Sequence, residues 1–168
     1  EVGAGETVAL VGESGSGKTV TAMSVLDLLP ATAGRSGAMR YLGEDLFTAP
    51  AERIRRLRGR EITMIFQEPM TAFNPVYTVG RQISDAIRAH RPMSRAAALT
   101  EATRLLADVG SPEPARRVRS HPHQPSGGRR PGAIIAMAIA TDPDLPTAGR
   151  PPSPPETVGL SGWVWTAH

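Results

Sequence analysis

The chain of 168 residues contains no cysteine, which excludes disulfide bonds, thiolate metal sites and a cysteine nucleophile. It also lacks an apolar run of membrane-spanning length. The longest such run, Ala133 to Ala140, falls far below the roughly 20 residues that a spanning helix needs. We expect no signal peptide in the sequence. We therefore expect no membrane span within these residues, and the lack of cysteine is compatible with a reducing cytosol.

Lysine is almost absent as well. The chain has 19 basic residues, and Lys18 is the only lysine among them. The net charge of +3 is small for this length and is a weak argument for a nucleic-acid partner. Arginines cluster between Arg53 and Arg60, but no aromatic residue interleaves them to stack on bases, so we interpret them as a solvated helix face. We predict no nucleic-acid partner.

The single lysine stands in the most specific motif of the chain. Residues 12 to 19 fit G-x-x-x-x-G-K-[ST], with the apolar run Thr7 to Val11 before them and a helical pattern after them. The glycines let successive N–H groups point at phosphate oxygens, and the helix start adds its positive end. Lys18 would reach the outer phosphates, and the Thr19 hydroxyl would ligate Mg²⁺. The predicted nucleotide-binding residues of this phosphate loop are Gly12, Glu13, Ser14, Gly15, Ser16, Gly17, Lys18 and Thr19.

A second strand predicts another residue of the same site. The helix after the phosphate loop ends before Pro30, and residues 31 to 49 predict short strands linked by turns. Glu61 to Phe66 reads as a buried strand that Pro69 terminates, so Gln67 stands at its carboxyl end. Ligands of open α/β sheets bind at that edge, which makes Gln67 a candidate for the same triphosphate. A plain turn residue is the alternative.

Two amphipathic helices follow and have the character of a helical insertion. Ile83 and Ile87 mark the first helix, and Leu99 to Val109 mark the second, with Ser94 as its N-cap and Gly110 as its C-cap. The loop after them contains His121 and His123, whose spacing could suit a metal, but no third ligand accompanies them.

A Ser-Gly-Gly sequence then precedes the apolar run. Ser126, Gly127 and Gly128 at a helix start would form a second anion-binding nest, although the same sequence is also common in linkers. After Asp142 the chain becomes proline-rich, and we expect neither a helix nor a central strand there. The last stretch, with Trp163 and Trp165, has no identifiable partner segment.

These motifs together resemble the ATP-binding-cassette (ABC) ATPases, most closely the oligopeptide and dipeptide importer type. The resemblance runs from about Val2 to Leu145. It depends on the phosphate loop, on the stretch from Ile65 to Val76 around Gln67, and on His121-Pro122-His123-Gln124 before Ser-Gly-Gly. It implies an α/β fold of the P-loop NTPase class: an ABC-type nucleotide-binding domain fragment with a helical insertion and an incomplete sheet.

The resemblance also implies ligands and partners. ATP and Mg²⁺ would be bound, with Thr19 and Gln67 as metal ligands. Ser126, Gly127 and Gly128 of one copy would close on ATP held by a second nucleotide-binding subunit in a head-to-tail dimer. Membrane-spanning permease subunits would hold the chain at the cytoplasmic face of the plasma membrane. Residues 1–145 would form the nucleotide-binding region, with a helical subdomain at about 78–125.

The sequence departs from the family pattern in three places. Pro125 and Pro131 replace the first and last positions of the family signature. Gly149 and Arg150 stand where the family carries an aspartate for the Mg²⁺ shell and a glutamate for the attacking water. The later switch histidine is missing, so we assign no catalytic residue. Residues 146–168 match no family pattern, and we expect them to be disordered.

Our main hypothesis is an ATP-binding subunit of an ABC importer for peptides or similar small solutes, truncated and binding ATP without hydrolysing it. The alternatives are a non-hydrolysing nucleotide-binding interaction module and a non-functional, frameshifted fragment. We also expect residues upstream of Glu1 to be missing. Because parallel sheets need neighbours on both edges, we expect exposed strand edges and poor solubility.

Overall fold

The structure is a computed structural model that describes residues 1–13, 15–66, 72–124, 131–150 and 160–166. The chain contains both helices and strands, in agreement with the α/β prediction, and the predicted short strands between residues 31 and 49 are present. The described elements are β1 Thr7–Glu13, α1 Lys18–Val25, β2 Arg40–Tyr41, β3 Glu44–Asp45, α2 Ala51–Leu57, β4 Ile62–Ile65, α3 Val79–His90, α4 Arg95–Asp108, α5 Pro114–Arg117, α6 Pro131–Ala138, β5 Leu145–Arg150 and β6 Leu160–Thr166.

The main sheet has four strands in the order β1-β6-β5-β4. β4 and β5 are parallel, whereas β6 is antiparallel to both β1 and β5. β1, β5 and β4 therefore run in the same direction, and their carboxyl ends share one edge of the sheet. A separate two-stranded antiparallel sheet is formed by β2 and β3.

The prediction that the segment after Asp142 holds no strand and no partner is wrong for the described residues. β5 includes Pro146 and pairs with β4, and β6 lies between β1 and β5. Leu145 donates its N–H to the Glu61 carbonyl at 2.9 Å, so the nitrogen of the next residue, Pro146, faces away from β4. The ladder between β5 and β6 begins only at Thr147. Proline is tolerated because its missing N–H has no ladder partner to lose.

β1 forms one edge of the described sheet, in agreement with the expected exposed strand edge. Its side chains alternate between half-buried and exposed, and none is fully buried. Val11 is 62% exposed. The strand that leads into the phosphate loop is therefore the least covered strand whose side chains the structure describes.

Helices α3, α4 and α6 enclose the larger of two cores, which we call the helical cluster. Its fully buried residues include Val79, Ile83, Ile87, Leu106 and Ala102. Ser94 caps α4 as predicted, because its side chain accepts a hydrogen bond from the Ala97 N–H. The predicted C-cap is one residue too late: Val109 is the C-cap, and Gly110 follows it with φ +71°.

The second core lies under the β2–β3 hairpin and α2, around Leu26, Leu46, Leu57 and Ile62. α1 ends at Val25, earlier than the predicted end before Pro30, because the chain turns at Asp27 with φ +50°.

Arg53 joins three elements at this second core. Its guanidinium donates to Glu44 at 2.9 Å and to Glu61 at 2.7 and 3.0 Å. The hydrogen bond from Arg53 lowers the pKa of Glu61. Nearby, burial and then the hydrogen bond to Asp144 raise the pKa of Tyr41, whose hydroxyl donates to that carboxylate at 3.0 Å. These contacts connect the hairpin, α2, the start of β4 and the residue before β5.

Candidate functional site

The phosphate loop connects the end of β1 to the start of α1, which is the strand-loop-helix context that the motif predicts. Gly15 and Gly17 have φ values of +82° and +87°, in the left-handed region that glycine adopts without strain. Gly17 is also the N-cap residue of α1. The backbone therefore makes its sharp turn directly before Lys18 and Thr19, the first two residues of the helix.

The Lys18 side chain folds back into this loop and is only 6% exposed. Its Nζ donates to the Gly12 carbonyl at 2.8 Å, to the Glu13 carbonyl at 2.5 Å and to the Ser16 hydroxyl at 2.9 Å. The ammonium is thus held by three oxygens of the same loop. It is the one positively charged side chain that the loop itself contributes.

The described part of the loop fits a phosphate group. A Cβ at Gly12 would lie 3.1 Å from Ser16 Oγ and 3.8 Å from Lys18 Nζ, so a larger residue would press on the space where the ammonium sits. A helix N-terminus and a lysine ammonium meet at this place, and both favour an anion. Lys18 and the loop N–H groups would hold the phosphates, and the Thr19 hydroxyl would face a metal bound to them.

Several predicted site residues lie outside the described residues: Ser14, Gln67, Ser126, Gly127 and Gly128. The described chain still locates the predicted strand before Gln67, because β4 ends at Ile65. Its carboxyl end lies at the same sheet edge as the end of β1, since the two strands run in the same direction. The role of these residues stays a prediction.

The end of β5 offers no carboxylate. Gly149 pairs with Trp163 and Arg150 pairs with Gly162 in the antiparallel ladder with β6. Gly149 is buried. Within the described ranges, no group of three or more histidine, cysteine, aspartate or glutamate side chains is arranged to hold a metal ion. The described residues of β5 therefore supply no carboxylate that could accept a proton from water.

The two histidines of the loop before Gln124 lie close together. The ring centroids of His121 and His123 are 5.7 Å apart and tilted by 35°. Among the residues that the structure describes, no histidine, cysteine, aspartate or glutamate joins this pair as a third metal ligand.

Sequence reasoning missed two features of the site. The motif predicted that Lys18 reaches the outer phosphates, but it did not predict the three hydrogen bonds that Lys18 makes within the loop. Sequence reasoning also left β1 without the partner strand β6. The first could have been suspected, because a lysine ammonium has three donors to satisfy and the loop offers carbonyl and serine oxygens close to it in the sequence. No local sequence signal identifies the second.

No helix in the described part of the chain is both long enough and apolar enough to span a membrane.

Comparisons with known proteins agree on one family. The family model described as ABC transporter matches residues 1–148. The chain is 48% identical over 149 residues to the peptidoglycan transport ATP-binding protein YejF of Agrobacterium fabrum, covering 88% of this chain and 27% of that protein. It is 45% identical over 152 residues to the "Probable peptide ABC transporter ATP-binding protein y4tR" of Sinorhizobium fredii, covering 89% and 45%. The chain thus spans less than half the length of these relatives.

A solved structure supports the fold. The dimeric, post-hydrolysis structure of the ATP-binding cassette MJ0796 bound to ADP and Pi matches with a TM-score of 0.65 at 22% identity. The match covers 78% of this chain and 54% of that one. At this identity the likeness establishes the P-loop NTPase fold of an ABC cassette. Taken together with the family model, these matches mean that the chain belongs to the ABC transporter family.

Proposed function

We propose that this chain is the ATP-binding part of an ABC importer for peptides or similar small solutes. The observation that carries the proposal is the phosphate loop, in which a buried lysine ammonium and a helix N-terminus meet between Gly12 and Thr19. Two relatives that are 45% and 48% identical have names that include peptide or peptidoglycan transport. Their names support the substrate class.

The proposed roles follow the resemblance. Gly12 to Thr19 bind the triphosphate of ATP, and Thr19 and Gln67 are the Mg²⁺ ligands. When bound, Mg²⁺ supplies positive charge beside the phosphate oxygens. Ser126, Gly127 and Gly128 close on the nucleotide held by a second subunit. Permease subunits hold the pair at the cytoplasmic face of the plasma membrane.

We also propose that the chain binds ATP and does not hydrolyse it at a useful rate. Hydrolysis needs a group that accepts a proton from the attacking water, and losing such a group costs roughly 10² to 10⁴ in rate. Arg150 has no acceptor capacity. The family match ends at residue 148, directly before Gly149 and Arg150. Steady-state phosphate release should equal that of Lys18→Ala, and release well above that variant would contradict the proposal.

The binding part of the proposal is tested with Mg-ATP and the free energy of unfolding. ATP at a hundredfold excess over its dissociation constant should stabilise the chain by about 2.7 kcal/mol, and Lys18→Ala should abolish this gain. Arg95→Ala is the charge-matched control, because Arg95 is exposed at the start of α4, which is not an element of the site. Equal stabilisation of the wild type and Lys18→Ala would place the nucleotide elsewhere.

A second candidate function, a non-hydrolysing interaction module, is favoured by the β5 end that lacks a carboxylate. It predicts that ATP drives self-association without phosphate release. Sedimentation with and without Mg-ATP, run beside the phosphate-release assay, tests this candidate: ATP-dependent association without release is its expected outcome, and no association contradicts it. Release that accompanies association would contradict both this candidate and the proposal that the chain does not hydrolyse ATP.

A further inference from the structure

The Lys18 ammonium has no hydrogen-bond donor to spare. A lysine ammonium carries three N–H donors and no acceptor. All three have partners at hydrogen-bonding distance, the carbonyls of Gly12 and Glu13 and the hydroxyl of Ser16. The side chain is also buried, so water does not compete freely for these donors. To contact a phosphate oxygen, Lys18 must give up at least one of these partners.

Ser16 is the partner that can be given up most easily. The Gly12 and Glu13 carbonyls belong to β1, and both residues are in register with β6, so moving them disturbs the sheet. The Ser16 hydroxyl turns by rotation about one side-chain bond, and Ser16 is exposed. A Cβ at Gly12 would approach Ser16 Oγ to 3.1 Å, so the glycine leaves room for the hydroxyl beside the ammonium.

We infer that Ser16 is a positioning residue: its hydroxyl holds Lys18 inside the phosphate loop and is exchanged for a phosphate oxygen when a phosphate or nucleotide binds. The hydroxyl therefore competes with the ligand for one N–H of Lys18. The inference rests on the proposed function for the identity of the ligand. It makes two separate claims, that Ser16 restrains Lys18 without ligand and that this restraint lowers phosphate affinity.

The first claim is tested on the lysine itself. Because Lys18 is the only lysine, trace acetylation of its ε-amine is measured by the mass of one peptide, separately from the amino terminus. Ser16→Ala should raise the rate of Lys18 acetylation by about two- to tenfold, the equivalent of one hydrogen bond. Ser16→Thr, which keeps the hydroxyl, should restore the wild-type rate. An unchanged rate in folded Ser16→Ala, judged by its circular dichroism, would overturn the inference.

Ser24→Ala is the matched control. The Ser24 hydroxyl also lies on α1 and donates to the Thr21 carbonyl at 2.6 Å, whereas the three partners of Lys18 Nζ are Gly12, Glu13 and Ser16. The rate of Lys18 acetylation in Ser24→Ala should match that of the wild type. A rate raised as much as in Ser16→Ala would mean that general loosening of α1, and not the Ser16 contact, exposes the amine, and this would overturn the inference.

The second claim uses inorganic phosphate and ATP as probes that protect Lys18 from acetylation. Ser16→Ala should reach half-protection at about two- to tenfold lower concentration than the wild type. Equal or weaker protection of the variant would overturn the claim. If Ser16→Ala reacts faster but neither probe protects any variant, the restraint holds and the proposed function fails. If both probes protect equally and Ser16→Ala reacts no faster, the proposed function holds and the restraint fails.

Discussion

The helical cluster and the strand that carries the phosphate loop are built very differently. In the helical cluster, Ile83, Ile87 and Leu106 are completely buried between α3, α4 and α6. In β1, no side chain is fully buried, and Val11 is 62% exposed. Burial of apolar surface is the dominant favourable term in folding, so the chain concentrates its stability away from its proposed ligand site. The loop that is proposed to bind phosphate therefore stands on the less stable part of the molecule.

The same truncation in both regions gives the largest expected contrast. Leu106→Ala in α4 should lower the free energy of unfolding by about 2–5 kcal/mol, because it opens a cavity in a closed core. Leu10→Ala in β1 should cost less than about 1.5 kcal/mol, because Leu10 is half-buried. Urea unfolding followed by circular dichroism measures both. Equal costs would remove the contrast between the regions.

A pair of helical glycines tests how tightly the helical cluster is closed. A Cβ at Gly80 would lie 2.1 Å from Val118 Cγ2 and 2.5 Å from the Val118 carbonyl oxygen, to which the Gly80 N–H donates. Gly80→Ala should therefore destabilise the chain by roughly 1–3 kcal/mol.

Gly132→Ala in α6 is the matched control for that substitution. Its Cβ would meet Val109 Cγ2 at an ordinary 3.5 Å. Alanine is the better helix former, so this variant should be neutral or more stable by up to about 1 kcal/mol. Urea unfolding should therefore give a lower free energy of unfolding for Gly80→Ala than for Gly132→Ala. A Gly80→Ala variant as stable as the wild type would mean that α3 and the Val118 segment separate at little cost.

Amide hydrogen exchange compares the two regions without any substitution. The amides of α4 should be protected at least about tenfold more than those of β1, a difference of 1.4 kcal/mol in the free energy of opening. The physical reason is that β1 has one described neighbour strand and an outer edge, whereas α4 packs against α3, α5 and α6. Mass spectrometry of exchanged peptides measures this. Protection of β1 equal to that of α4 would argue for a covered edge.

The smallest effect concerns pH. Burial, and then the positive charge of Arg60, lower the pKa of His90 below its usual 6.5. The unfolded chain therefore binds a proton at His90 more readily than the folded chain does. The contribution of neutral His90 to the free energy of unfolding is intact above pH 6.5 and is lost as the pH falls towards the folded pKa. The free energy of unfolding should therefore fall between about pH 7.5 and about pH 5.5.

His90→Gln should reduce that fall, and the difference between the two proteins isolates His90 from the other histidines. The carboxylates whose pKa is lowered, Glu52, Glu61 and Glu101, act in a separate window, because their contribution to stability is lost only as the pH falls below about 4.5. Denaturation at several pH values checks both. If His90→Gln had the same pH dependence as the wild type, folding would not disfavour the protonated form of His90.

The sequence predicted most of what depends on local pattern. The period of Ile83 and Ile87 predicted α3, Ser94 was correctly placed as the cap of α4, and the motif from Gly12 to Thr19 was found between a strand and a helix. These succeeded because helical periodicity, capping and glycine-rich turns are decided within a few residues. The predicted end of α1 was wrong because the chain turns at Asp27, and no glycine or proline at that position indicates a turn in the sequence.

Local chemistry by itself determined that residues 12 to 19 have the pattern of a phosphate loop and that neither Gly149 nor Arg150 carries a carboxylate. Only the tertiary structure decided where β6 lies, because strand pairing between Thr7–Glu13 and Leu160–Thr166 joins segments about 150 residues apart and leaves no local signal. It also decided that Lys18 turns inward. The ammonium donates to the acceptors that lie nearest in space, and the approach of the end of β1 to Ser16 determines which acceptors these are.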